Sequence, residues 1–214
     1  MVLAPFLVDG TLAGIVRPAV LWWHGAVVVE RPAGLEQVIA AVSAAVVAAP
    51  PVDVQAVRDM YRRIGLDPTK TRPSNEALLR RVRRGDPFPR VNGLVDAVNV
   101  CSLECQLPYG VYDQAAIAGP ITLRLGRTGE AYAGIRKDTV HVDGRVTVAD
   151  GHGPFGNPSS DSARAMVTGR TRDALVVVYA PASNDASTLA RVLDLTAMRV
   201  GQAVGGHEEA RWMA

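Results

Sequence analysis

Cysteine is scarce in this 214-residue chain, and the two present, Cys101 and Cys105, stand four apart on one helical pattern. With no neighbouring Cys or His to complete a ligand set, they read as small packing residues, not as a disulfide or a metal pair. Histidine is nearly as sparse, and its four scattered positions give no metal-ligand spacing. No apolar run nears the ~20 residues of a membrane span. The longest, Val38 to Ala49, is interrupted by Ser43. The N-terminal residues lack the basic patch and small-residue cleavage pattern of a secretory signal, so a cytoplasmic protein is expected. Gly126-Arg127-Thr128-Gly129 has neither the lysine nor the following helix of a phosphate loop. Ser159, Ser160 and Ser162 have no nucleophile-elbow context. There is no internal repeat and no linker long enough to force a domain boundary.

What is present is an ordinary globular composition, 48% hydrophobic and 21% charged, with a formal net charge of +2. The charge is unevenly placed. From Arg58 to Arg90 ten basic residues stand against four acidic ones, which leaves the remainder acidic on balance. Such an excess suits a phosphate backbone or, equally, a pair of solvated helix faces. Arg62, Arg63, Arg80 and Arg84 are the candidates for RNA contact.

Residues 1–32 predict short strands: Phe6-Leu7-Val8, Gly14-Ile15-Val16, Val20 to Trp23, and Ala26 to Val29 as the strongest. Arg31-Pro32 opens a helix whose Leu35, Val38, Ile39, Val42 and Val46 share a face up to Pro50-Pro51. Asp53 is placed to cap a helix with Val54, Val57, Met60, Tyr61 and Ile64 inward, ending at Gly65. Ser74 is placed to cap the next, which turns Leu78, Leu79 and Val82 inward. From Ile121 the pattern changes to short β segments at 121–124, 131–134, 139–142 and 146–149, with Asp143-Gly144 as a hairpin signal. Gly151 to Ser162 reads as a loop, and Leu175 to Tyr179 as a strand buried on both faces. A last helix from Ser183 or Asn184 buries Leu189, Leu193, Ala197, Val200 and Val204; Gly205-Gly206 ends it, and loose residues follow. Helices mostly first, strands mostly later and a closing helix argue for one α+β domain over residues 1–214. In it the helices pack on a mixed or antiparallel sheet.

The richest stretch is Pro89 to Asp113. Val91, Leu94, Val95, Val98, Cys101 and Cys105 have the spacing of one buried helix face, with Ser102 a weaker member. Asn92, Asp96 and Asn99 form a second stripe. Asn and Asp are poor mid-helix residues, so the stripe is expected to serve structure, tethering the helix to the loop after it. Leu107-Pro108-Tyr109-Gly110 is expected to close the helix in a turn, with Tyr109, Tyr112 and Asp113 packing it.

This stretch resembles the start of the B3/B4 module of the phenylalanyl-tRNA synthetase β subunit. The matching features are Asn92, Val95-Asp96 and Asn99 on one helix, the proline at Pro108 and the pair Tyr112-Asp113. Ile117 to Gly126, Val148 to Gly151, Val167-Thr168, Thr171 and Ala174 to Ala180 continue the likeness, which covers residues 85–182. The resemblance implies a proofreading module that binds the 3′ end of aminoacyl-tRNA and hydrolyses a wrongly attached amino acid. It implies no cofactor and, without the synthetase's other parts, no aminoacylation. Where the family carries a histidine this chain has Gly110, and where it carries a glutamate an ungapped reading places Ala163.

Aminoacyl esters are already activated, so a pocket that fixes the ester and orients one water supplies most of the rate. Asp161, two residues from the glutamate position, and His152, in a glycine-flanked context, are the catalytic candidates. Asn157, Ser162, Arg164 and Phe155 are candidates for substrate contact. Two rivals stand beside this reading: a non-catalytic RNA- or DNA-binding module that kept the fold, and a pocket for a free amino acid or other small metabolite.

Overall fold

The computed structural model describes residues 3–49, 54–135 and 139–214. Its first half comprises β1 (Phe6–Val8), β2 (Val16–His24), α1 (Leu35–Ala48), α2 (Gln55–Arg63), α3 (Ser74–Arg83) and α4 (Gly93–Cys105). Then come β3 (Tyr109–Asp113), β4 (Ile121–Leu125), β5 (Ala131–Ala133), β6 (Thr139–His141) and β7 (Val146–Asp150). The chain continues through β8 (Gly153–Asn157), β9 (Ser160–Asp161), β10 (Ala174–Pro181), α5 (Ala186–Val204) and β11 (His207–Met213).

β10 is buried at all eight positions, as its unbroken apolar sequence requires, and it lies inside a four-stranded antiparallel sheet ordered β11-β2-β10-β3. A second sheet runs β1-β4-β7-β8-β9, parallel only between β1 and β4. β5 and β6 form a separate two-stranded ribbon. Helix α4 packs against α5, α1 and α3, and most of the buried apolar residues form one cluster fed by both larger sheets and all five helices. The architecture is α+β with mixed sheets. Among the described residues no helix is long and apolar enough to cross a membrane.

Several sequence expectations give way to tertiary structure. Ala26–Val29 is not a strand: Gly25, at φ 74°, ends β2, and the next two amides donate singly to Arg172 and Val204 carbonyls. The two short strands expected around Val16 and Val20 are one, with Pro18 inside it opposite Tyr179. Asp53 lies outside the described residues. Ser74 caps nothing; it is the first helical residue of α3, and its hydroxyl has no partner among the described residues. Asp185 caps α5, accepting from the Thr188 amide at 2.7 Å. Asp143-Gly144 joins β6 to β7, which belong to different sheets, so it makes a turn without a hairpin. The hairpins here are β7–β8, closed between Asp150 and Gly153, and β8–β9, inside the segment read as a loop. The C-terminal residues are not loose but pair with β2 as β11.

Around α4 the reading is largely met, with three corrections. Val91 is 49% exposed and lies off the buried face. The helix ends on Gln106 in the left-handed region at φ 55°, and Tyr109 and Gly110 already belong to β3, so there is no turn at Pro108–Gly110. Asn92 is the N-cap, accepting from the Val95 amide at 3.1 Å. Asp96, fully buried, accepts from Arg90 Nε at 2.7 Å and the Val91 amide at 2.8 Å. Of the stripe, Asp96 therefore ties the helix to the segment before it, not after it.

Candidate functional site

The site begins with a carboxylate. Glu76, in the first turn of α3, is nearly inaccessible and holds Arg58 of α2 in a bidentate pair at 2.8 and 2.6 Å. Arg80 and Arg72 approach the same carboxylate less closely, at 3.3 and 3.9 Å. That Arg58 bond, above the other charges, holds the Glu76 carboxyl below its ordinary range. Three guanidinia around one anion leave the surface of α3 positive on balance. Arg81 and Arg84, one turn on, donate to the Pro87 carbonyl and to Asp86.

Facing α3 is the tip of the β8–β9 hairpin. Asn157 builds the turn: its Oδ1 accepts from the Ser159 and Ser160 amides at 2.8 and 3.0 Å, and its Nδ2 donates to Tyr132. The tip is fastened to the helices by Ser74 N to the Pro158 carbonyl, and by the Ser159 hydroxyl, which meets Tyr61 and the Arg72 carbonyl. Between hairpin and α3 opens a cavity of about 460 Å³. Arg72, Arg80, Arg81 and Arg84 line one side of it, and Ser74, Asn99, Ser159, Ser160 and Asp161 line others.

Asp161 is part-exposed as a residue, but its carboxyl lies deep. Burial pushes that carboxyl up to about 7, against a hydrogen bond from Tyr112 that pulls it down. Oδ1 accepts from the Tyr112 hydroxyl at 2.7 Å, and that hydroxyl also meets the Tyr179 hydroxyl at 2.7 Å. The Tyr112 ring fits because positions 110 and 156 are glycine; a β-carbon at either would overlap its hydroxyl.

The structure thus brings together Asp161, Asn157, Arg80, Arg84 and Asn99. Other candidates lie elsewhere. His152 is exposed and precedes β8, about 16 Å of extended strand from its Asn157 end. Ser162 is buried and accepts from the Ala165 amide. Phe155 is a core residue packed edge-on against Tyr112 at 4.9 Å. Arg164 is bound to Asp150 at 3.0 Å and lies over the outside of Phe155. Arg62 pairs with Asp59 and Arg63 with the Gly14 carbonyl, both outside the cavity lining. The residues that sequence reasoning missed are Arg72, Arg81, Ser74, Tyr112 as a partner of Asp161, and Tyr179. Only the density of arginine around α3 hinted at any of them.

A model of the B3/4 domain family matches residues 56–198, a span that holds α2, α3, the hairpin, Asp161 and most of α5. The chain belongs to the B3/4 domain family. Among solved structures, an N-terminal fragment of the phenylalanyl-tRNA synthetase β-subunit from Pyrococcus horikoshii superposes with a TM-score of 0.53 at 13% identity. The alignment covers 98% of this B3/4 chain and 54% of that one, so the chain spans about half the length of the solved fragment. At that identity the likeness is one of fold. No curated protein sequence matches the chain. Of the two positions that depart from the synthetase pattern, Gly110 gives its side-chain space to Tyr112. Ala163 bonds Ala133 through its backbone and lies outside the cavity lining.

Proposed function

We propose that this B3/4 domain, one domain over residues 1–214, binds the 3′ end of an aminoacyl-tRNA in the cavity. There it hydrolyses a wrongly attached aminoacyl ester. One observation carries the reading: Asp161, a carboxyl raised to about 7, shares a cavity with four arginines and is bonded by none of them. The volume lies within the ~300–1,000 Å³ range of small-molecule sites, enough for an aminoacyl group and part of its nucleoside. Arginines at the rim suit the phosphates that follow, and family kinship with a tRNA synthetase subunit supports RNA as the carrier.

The chemistry asks little of the protein. Ionised Asp161 takes a proton from a water as the water oxygen bonds to the ester carbonyl carbon. The tetrahedral intermediate collapses with loss of the ribose oxygen, which receives that proton. The Asn99 amide, on the cavity wall and without a partner among the described residues, is the neutral donor for the carbonyl oxygen. Such a substrate places the work in the cytoplasm. The test is ester loss from a panel of mischarged tRNAs. Turnover of at least one, abolished in Asp161→Asn, is expected, and no loss above buffer with any of them overturns the reading.

A second reading has its own observation: among the described residues Asp161 is the sole carboxylate on the cavity wall, and no histidine lines it. On that reading the module binds RNA without turnover. Salt-dependent tRNA binding with no ester loss selects it, whereas salt-insensitive binding of free amino acids selects a metabolite pocket.

A further inference from the structure

We infer that Tyr112 is the positioning residue of this site: its hydroxyl, backed by Tyr179, holds Oδ1 of Asp161 and leaves Oδ2 as the oxygen open to the cavity. The Tyr112 hydroxyl has one proton, and it is spent on Asp161 Oδ1 at 2.7 Å. The 2.7 Å contact with Tyr179 must then run the other way, Tyr179 donating to Tyr112. A file of two phenols therefore leads from β10 through β3 to the carboxylate, and both rings are fully buried. Oδ2 takes no hydrogen bond from any described residue.

The ring cannot easily move. Strand β3 sets its direction, Phe155 packs on it at 4.9 Å with planes 89° apart, and Gly110 and Gly156 leave a slot that only the ring fills. The charged and titratable groups around Asp161 are Tyr112 from β3, Tyr179 from β10 and Tyr132 from β5, with the arginines of the cavity wall opposite. None of those arginines pairs with it. The phenol file is therefore the one direct hydrogen-bond support for its negative form among the described side chains. A hydrogen bond to the ionised carboxylate favours ionisation, so the file keeps a deep carboxyl titratable near neutrality. When Asp161 takes a proton from water at Oδ2, no bond in the file needs to break.

The value of this device to catalysis rests on the hydrolytic reading above; the device itself does not. The experiment is a ¹³C-carboxyl NMR titration of Asp161, its signal assigned with Asp161→Asn, in the wild type, Tyr112→Phe and Tyr179→Phe. The wild-type midpoint is expected near 7. Tyr112→Phe should raise it by about one unit, and Tyr179→Phe by less in the same direction. In the deacylation assay Tyr112→Phe should then lose roughly five-fold at pH 7 and recover by pH 9, because the ionised fraction falls and is restored. A ring that served packing alone would leave the midpoint in place, and an unmoved midpoint in folded Tyr112→Phe overturns the inference. A moved midpoint in a protein that hydrolyses nothing keeps the positioning role and overturns the hydrolytic reading instead. Should Tyr112→Phe fail to fold, the Tyr179→Phe midpoint decides in the same sense.

Discussion

Arg58 closes both arms of its guanidinium on Glu76, at 2.8 and 2.6 Å, inside a first helical turn that solvent barely reaches. The pair satisfies the buried anion and leaves Arg72 and Arg80 with donors to spare. Removing one partner of such a pair strands the other, so Glu76→Gln is expected to cost about 3 kcal/mol at pH 7. Because Arg58 lowers the Glu76 carboxyl, its contribution is present above the ordinary carboxylate range and fades as acid titrates the folded form. Urea denaturation at pH 7 and pH 3 measures both; an equal gap between wild type and variant at the two values contradicts the account.

Asp161→Asn keeps the acceptor for Tyr112 and removes the charge. The folded carboxyl titrates near 7, above its ordinary 3.8, so ionisation works against folding as pH rises from about 4 to 7. The variant is expected to match the wild type at pH 4 and to exceed it by about 2 kcal/mol at pH 8, a figure discounted for partial exposure. Denaturation midpoints at the two pH values check this, while ester hydrolysis by the same variant should vanish.

The arginines divide by position. Arg80→Ala and Arg84→Ala should each weaken tRNA binding and lower the salt slope by about one. Arg62→Ala and Arg63→Ala, outside the cavity wall, should leave the slope within error. Filter binding between 50 and 200 mM salt, on the order of the range where such slopes are read, separates the pairs. Equal losses from all four would relocate the RNA surface.

Gly110→Ala and Gly156→Ala each place a methyl against the Tyr112 phenol. Overpacking of a fixed ring costs about 3 kcal/mol. Calorimetry should show a clear fall in Tm for both, and a variant that melts with the wild type would mean the ring has room it does not show.

Much of the helical half was open to reading because apolar spacing carries the signal: Leu35, Ile39 and Val42 of α1 and Leu78, Leu79 and Val82 of α3 are buried as their pattern requires. Caps were less legible: Asn92, spaced like a mid-helix stripe residue, is the N-cap of α4. The apolar run Leu175 to Tyr179 announces the buried middle of β10. The hairpin was hidden for the opposite reason. Gly, Pro, Asn and Ser are turn residues, and here strand pairing with β7 overrides that composition for Gly153–Asn157. β11 offers only Ala210, Trp212 and Met213 to the core, and the last two are adjacent, so alternation does not announce a strand. At the site, Asp161 was legible as a carboxylate, but Tyr112 gave no sign of meeting it. Their contact crosses 49 positions and depends on two glycines that leave no pattern in the chain.

The seam between the helical half and the hairpin joins Tyr61 of α2 to Ser159, and Ser159 to Arg72 just before α3, groups 98 and 87 positions apart. Each wall of the cavity can form from nearby residues, yet neither encloses a space alone. Closing so long an intervening segment is slow and entropically costly, so competence to bind should arrive after most helix has formed. A partly folded chain is blind to its ligand, and occupancy rewards only the finished molecule.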